Sequence, residues 1–185
     1  KVTVLTSNPD SGHGSDAMVA QVAAGAIGAD PDRVDVSTPD TAVTPPEAWG
    51  SSASRSSYIV SRAAYDAAID AREKLFERAA RHLEVPAREL ELDGDTVHVT
   101  GDPDAGVTIE ELMITGPEGS STFEDPPPRS TFGTCYAEVA VDTATGMVSV
   151  ERITHAQDVG FALNPKGCEG QIEGGVEFAM EFFLD

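Results

Sequence analysis

Positive charge is scarce in this chain. Twelve Lys+Arg stand against 32 Asp+Glu, a formal net charge of −20. Three of the twelve are lysines: Lys1, Lys74 and Lys166. So acidic a surface offers free nucleic acid and anionic membranes nothing to bind, and neither is expected as a partner. Few Lys beside many Asp fits a solvent face adapted to high salt; an ordinary acidic cytosolic surface is the plainer alternative. Cysteine is limited to Cys135 and Cys168. That is too few for a disulfide framework, and the CxxC spacing of a zinc site is missing. A reducing, cytoplasmic compartment is the expectation. Four histidines with no pair at ligand spacing argue against a histidine-held metal. No apolar run approaches the roughly 20 residues of a membrane span. Both ends read as cut: Lys1 opens directly in strand-like sequence, and the apolar pattern of Phe182-Phe183-Leu184 has no cap.

The apolar fraction is 40% over 185 residues, enough for a sizeable core. Lys1–Thr6 alternates as a strand, with Val2 and Val4 on one face. Ser7–Gly14 is a loop, and Ser15 is placed to cap a helix over Asp16–Ile27, with Asp16 suiting the dipole. Met18, Val19, Val22, Ala23 and Ala26 form its stripe, and Gly28 ends it. Arg33–Ser37 reads as a second strand, which makes a βαβ-like opening. Thr38–Ser57, which holds Trp49, is a loop of the length that is often functional. A long Ala-rich helix over about Ser57–Leu83 stops at Val85-Pro86. Asp93-Gly94 turns a hairpin between Glu89–Leu92 and Thr96–Thr100. Thr108 and Glu111 form a capping box for a short helix to about Met113. Ile114–Ser130, with Pro126-Pro127-Pro128, is an extended connection. Phe132–Val141 and Val148–Gln157 pair across Asp142–Gly146, and Asn164 caps a last helix with Pro165 at its first position.

Three stretches stand out. Gly12-His13-Gly14 and Gly50–Ser57 each open a helix, and Glu169–Gly175 lies near the start of the last one. Glycines and helix N-termini let a backbone approach a large anionic ligand and present N–H groups to it. The first stretch lacks the third glycine of a dinucleotide fingerprint and the Lys-Ser/Thr of a Walker loop. The Ser-rich stretch contains no GxSxG elbow. The plainer readings are a hydrogen-bonding loop histidine for His13, capping or solvated carboxylates for Asp158 and Glu169, and a packed core thiol for Cys135. Gly174-Gly175 inside a helix costs about 1 kcal/mol per residue against Ala, so a close approach is expected there.

Together the stretches resemble the molybdenum-binding large subunit of the xanthine dehydrogenase / aldehyde oxidase / carbon monoxide dehydrogenase family. Gly12-His13-Gly14-Ser15-Asp16 with Gln21-Val22-Ala23-Ala24 is similar to its G-Q-G-x-x-T…Q-x-A segment. Ala53-Ser54-Arg55-Ser56-Ser57 is similar to its [GA]-S-R-x-[ST] segment. Phe132-Gly133, Ala137-Glu138-Val139, Val141-Asp142 and Thr145-Gly146 match its paired strands. Its most specific segment corresponds to Asp158-Val159-Gly160, Leu163-Asn164-Pro165 and Glu169-Gly170-Gln171-Ile172-Glu173-Gly174-Gly175. The likeness covers nearly the whole chain, in order.

The resemblance implies an α+β fold of mixed sheets packed against helices, with residues 1–185 a partial molybdenum-cofactor domain and an internal division near 85/86. It implies a molybdopterin cytosine dinucleotide cofactor carrying molybdenum. Gly12, His13, Gly14, Ala53, Ser54, Arg55, Ser56, Ser57 and Gln171 would bind it, with the Ala53 backbone nearest the metal. The implied reaction is oxidative hydroxylation of a small molecule such as an aldehyde or N-heterocycle. Electrons would leave through iron–sulfur and FAD partners, and the full-length protein would be an oligomer. His13 stands where the family has Gln. No catalytic residue is assigned: the family's general-base Glu belongs to a motif downstream of Gly174-Gly175, and Glu169, Glu173 and Glu177 do not replace it. The fragment alone is therefore expected to be inactive, with Phe178, Phe182 and Phe183 exposed. A metal-free accessory or binding domain built on the same fold is the alternative.

Overall fold

Three-residue strands can pair only where both flanks are fixed, and a buried helix does that here. β1 (Val2–Val4) and β2 (Val34–Val36) pair in parallel, with Val2 opposite Val34 and Val4 opposite Val36. α1 (Ser15–Ile27) connects them, so the βαβ opening read from the sequence is present. The computed structural model describes residues 1–37, 39–44, 46, 50–112, 118–123 and 130–184. Trp49, Met113 and Pro126-Pro127-Pro128 lie outside them. The chain divides into two units, Lys1–Pro126 and Pro127–Asp185.

In the first unit α1 lies along the N-terminal half of α2 (Ser56–Leu83). Met18 and Val19 pack with Val60 and Ala64, while Ala23, Ala24 and Ala26 pack with Val34 and Ala68. Alanine at the crossing lets the backbones approach. Gly28, at φ 87°, ends α1 by donating its N–H to the Ala24 carbonyl at 2.9 Å, as its position suggests. Ser15 does not cap α1. The cap position is Gly14, and Ser15 is the first helical residue, its hydroxyl buried against Asn8.

The C-terminal half of α2 carries a second core. Leu75, Phe76 and Ala79 pack on Leu90, Val97 and Val107. These come from an antiparallel meander of β3 (Leu90–Asp93), β4 (Thr96–Val99) and β5 (Asp102–Thr108). The β3–β4 hairpin turns at Gly94, φ 58°. Sequence reading misses β5, because Asp102-Pro103-Asp104-Ala105-Gly106 has no apolar alternation. Pairing with β4 makes it a strand, and Pro103 is tolerated because β5 is an edge. α3 (Ile109–Leu112) starts at the expected capping box: the Thr108 N–H donates to Glu111 Oε2 at 2.9 Å, and the Glu111 N–H to Thr108 Oγ1 at 3.2 Å.

Residues 118–123 run back along α2. Lys74 Nζ donates to the Glu118 carbonyl at 2.9 Å, the Ser120 N–H donates to Asp70 Oδ2 at 3.0 Å, and the Phe123 ring meets Tyr58 edge-on at 5.7 Å. A Cβ on Gly119 would overlap the Ala67 carbonyl and stand 2.9 Å from Ala71 Cβ, so glycine is required by contact.

The second unit is a ten-pair hairpin of β6 (Phe132–Val141) and β7 (Val148–Asp158), then α4 (Pro165–Leu184). Asp142 Oδ1 accepts the Ala144 and Thr145 N–H groups in the turn, and Asn164 Oδ1 accepts the Gly167 N–H at 3.1 Å ahead of α4. Cys135 is exposed, not a packed core thiol. It shares a hairpin face with Ala137, Val139, Val141 and Ile153, but no described side chain of this unit is buried. Alternation marked the apolar face correctly; cover is what it lacks. The fold is α+β with mixed pairing, as expected. The meander belongs to the unit of α2, so the division falls after it.

Candidate functional site

The loop between β1 and α1 closes around two side chains that the motif reading passed over. Asn8 is 3% exposed, and each of its side-chain heteroatoms is used. Its Nδ2 donates to Ser15 Oγ at 3.3 Å, and its Oδ1 accepts from Ser56 Oγ at 3.1 Å, with Ser51 Oγ at the same distance. Ser15 opens α1 and Ser56 opens α2, so one buried amide holds two helix starts together.

Asp10 serves the rest of the loop. Its Oδ1 accepts the Gly12 N–H at 2.8 Å and the Gly14 N–H at 3.2 Å, and its Oδ2 accepts the Asp16 N–H at 3.0 Å. Those bonds hold its carboxyl below the ordinary aspartate range. The Asp16 N–H lowers it most and burial pulls the other way; Gly12, Gly14 and the charge of His13 lower it further. Asp16 is shifted upward, first by burial and then by the Asp10 charge. Asp16 stands in the first turn of α1, as the sequence suggested. An Asp two residues before a Gly is the Asx-turn spacing that could have revealed Asp10.

Ser51 joins the two glycine-containing loops. Its Oγ lies 2.9 Å from the Pro9 carbonyl, 3.2 Å from Ser56 Oγ and 3.2 Å from His13 Nε2. A hydroxyl has one proton, and the Pro9 carbonyl is its nearest acceptor; His13 Nε2–H then donates to Ser51. On its other side His13 Nδ1 faces Asp10 Oδ1 at 3.6 Å. His13 is thus the hydrogen-bonding loop residue of the plainer reading, bridging the Gly12–Gly14 loop to the Gly50–Ser57 loop.

Gly50, Ala53 and Ser54 have φ of 57°, 53° and 53°. A left-handed non-glycine residue costs about 1 kcal/mol or more, and here two follow in succession at the loop tip. Ala53, Ser54 and Ser57 are exposed, and Arg55 is half-buried at the cap position of α2 without a side-chain cap bond to the helix. The first turn of α2 contains no acid. A Cβ on Gly12, Gly14 or Gly50 would meet nothing within 4 Å, so their surroundings are open. Eight of the nine expected site residues therefore lie in the first unit, six on two adjoining loops and Ser56 and Ser57 in the first turn of α2. Gln171 is on α4 of the second unit, exposed, beside Gly170, Gly174 and Gly175, where a Cβ would also meet nothing within 4 Å.

Residues 1–184 match the family described as the molybdopterin cofactor-binding domain. The chain belongs to that family. This molybdopterin cofactor-binding domain is 31% identical to a xanthine dehydrogenase molybdenum-binding subunit of Escherichia coli O157:H7, over 99% of the chain and 26% of the relative. It is 28% identical to a nicotine 6-hydroxylase large subunit of Paenarthrobacter nicotinovorans, over 95% of the chain and 23% of the relative. Among solved structures it aligns with quinoline 2-oxidoreductase of Pseudomonas putida 86 at TM-score 0.73 and 28% identity, over 94% of the chain and 24% of that chain. It aligns with Cu,Mo-CO dehydrogenase at TM-score 0.71 and 29% identity, over 91% and 22%. The domain spans about a quarter of the length of these relatives. Among the described residues no group of His, Cys, Asp and Glu could hold a metal ion, and no helix is long and apolar enough to cross a membrane.

Proposed function

We propose that this domain forms part of the cofactor site of a molybdenum hydroxylase large subunit and binds molybdopterin in its cytosine dinucleotide form. One observation carries the reading: Ser51, Asn8 and His13 tie the Gly12–Gly14 and Ala53–Ser57 loops into one open, small-residue surface. The donor set fits such a group. No side-chain metal ligands are needed, because the pterin itself carries the metal, and the exposed backbone at Ala53 and Ser54 suits close approach to it.

In this proposal the first-turn N–H groups of α2, with Ser57 and Arg55, take the anionic parts of the cofactor. Gly12 and Gly14 contribute open space, and His13 sets the wall between the loops. When bound, the cofactor supplies oxidative hydroxylation of a small molecule such as an aldehyde or N-heterocycle. Iron–sulfur and FAD partners receive the electrons, in a cytoplasmic, oligomeric full-length protein. The salt-adapted character is carried by the net charge of −20.

The test is metal analysis and cofactor extraction on the full-length protein from its native host at native salt. Molybdenum near one per chain together with a cytosine nucleotide is expected. A well-folded full-length protein free of both, even when produced beside its partner genes, would overturn the reading and leave a metal-free binding domain.

A further inference from the structure

We infer that His13 is a positioning residue: held in the Nε2–H tautomer, its ring spans from the Ser11 amide to the Ser51 hydroxyl and sets how the Gly12–Gly14 loop stands against the Gly50–Ser57 loop. Its bearing on a ligand rests on the reading of the two loops as one cofactor site.

A neutral imidazole carries one proton, and the partners of its two nitrogens tell which of them holds it. The Ser11 N–H donates to His13 Nδ1 at 3.4 Å, and the Ser11 hydroxyl stands at the same distance. A nitrogen that accepts from an amide carries no proton, so the proton is on Nε2. Ser51 Oγ lies 3.2 Å from Nε2 and gives its own proton to the Pro9 carbonyl at 2.9 Å. It is therefore an acceptor toward His13, and the two sides of the ring assign the same tautomer independently. Asp10 does not compete for the ring. Its Oδ1 is 3.6 Å from Nδ1, too long for a hydrogen bond, and already accepts from Gly12 and Gly14.

Both nitrogens of the neutral ring are thus committed to the protein, which leaves neither to hold a ligand. What His13 contributes is distance. Gly12 and Gly14, at φ 98° and 80°, flank it on one side of the junction. On the other side Ser51 comes just before Ala53 and Ser54, the left-handed tip of the second loop. A rigid ring with partners at opposite edges sets the gap between the glycine pair and that tip. Ser51 is also held by Pro9 and stands close to Asn8, so losing the ring loosens the junction without opening it.

The experiment is nitrogen-15 NMR of the histidine-labelled full-length protein prepared without cofactor, above the range in which free histidine titrates. The His13 signals are assigned by their absence from His13→Gln. The expected ring has a protonated Nε2 and a bare Nδ1. The opposite tautomer, or a mixture of the two, overturns the inference, and that result needs no variant to fold. Site-resolved amide hydrogen exchange then tests the positioning. Asn places a carbonyl oxygen near the position of Nδ1, and Gln places an amide nitrogen near that of Nε2. His13→Asn should therefore keep the Ser11 amide protected and free the Arg55 amide, whose acceptor is the Ser52 carbonyl next to Ser51. His13→Gln should do the reverse. Each freed amide should exchange about fivefold faster, the factor one neutral hydrogen bond supports. The Gly28 amide, at the far end of α1, should not change; if a variant loses that protection it has unfolded, and the tautomer of the unaltered protein decides. If both variants free the Ser11 and Arg55 amides alike, or free neither, the ring only fills space and the inference is overturned. Molybdenum content judges the proposed function separately: a metal-free protein with the Nε2–H ring and the divided response loses the function and keeps the role of His13, and a molybdenum protein with the opposite tautomer does the reverse.

Discussion

Lys1–Pro126 and Pro127–Asp185 contain equally clear apolar patterns and use them differently. In the first unit the stripes of α1 and α2 meet each other, and Leu75, Phe76 and Ala79 meet a three-stranded meander. In the second unit Val139 and Val141 are about half exposed, and Phe178, Phe182 and Phe183 are 78%, 81% and 79% exposed. Periodicity says which face is to be covered. It does not name the cover. The first unit supplies its own, and the second displays long regular elements whose apolar residues contribute little to stability as they stand.

The sharpest way to break this comparison is truncation of a core residue. Leu75→Ala, at 3% exposure, should cost about 2–5 kcal/mol in chemical unfolding of the first unit. Gly119→Ala should cost about 1–3 kcal/mol, because the added methyl meets the α2 backbone; equal unfolding midpoints for the two proteins would refute that packing.

Acid should treat the units alike. Asp10 in one and Asp142 in the other accept turn N–H groups, and both carboxyls lie below their ordinary value, Asp10 chiefly through the Asp16 N–H and Asp142 chiefly through the Ala144 N–H. A lowered folded value means a contribution present above the ordinary aspartate range and lost as pH falls through the folded value. Amide exchange in residues 12–16 and 144–145 should therefore accelerate only below about pH 4, where free aspartate titrates. Acceleration nearer neutrality would refute the role of these carboxylates.

The smallest effect belongs to Phe178→Ser, which should change stability by no more than about 0.5 kcal/mol while reducing self-association in light scattering. A loss as large as that of Leu75→Ala would show that α4 is covered after all.

Much of the fold was legible. Hydrophobic alternation located β1, β2, β6 and β7; Gly28 marked the end of α1, Asp93-Gly94 the β3–β4 turn and Asn164-Pro165 the start of α4, since each has a local conformational reason to stand there. β5 was illegible because its strand character comes from its partner, not from its side chains. At the site, glycine and serine loops were visible as motifs. Asn8 and Asp10 were not, because a loop Asn or Asp is ordinary until its partners are known. Ser15 looked like a cap for the same reason: the local pattern suits that role, and only the reach of Asp10 across the loop takes it away.

By itself, then, the sequence determined most of the elements, their order, the family to which the chain belongs and the two loops that could approach an anionic ligand. These follow from local rules of period, turn chemistry and motif. Tertiary structure alone decided how the two helix starts are joined. Asp10 lies six residues from Asp16, and Asn8 lies 48 from Ser56. The hydrogen bonds by which Asn8 ties Ser56 to Ser15 exist only once α1 and α2 have packed.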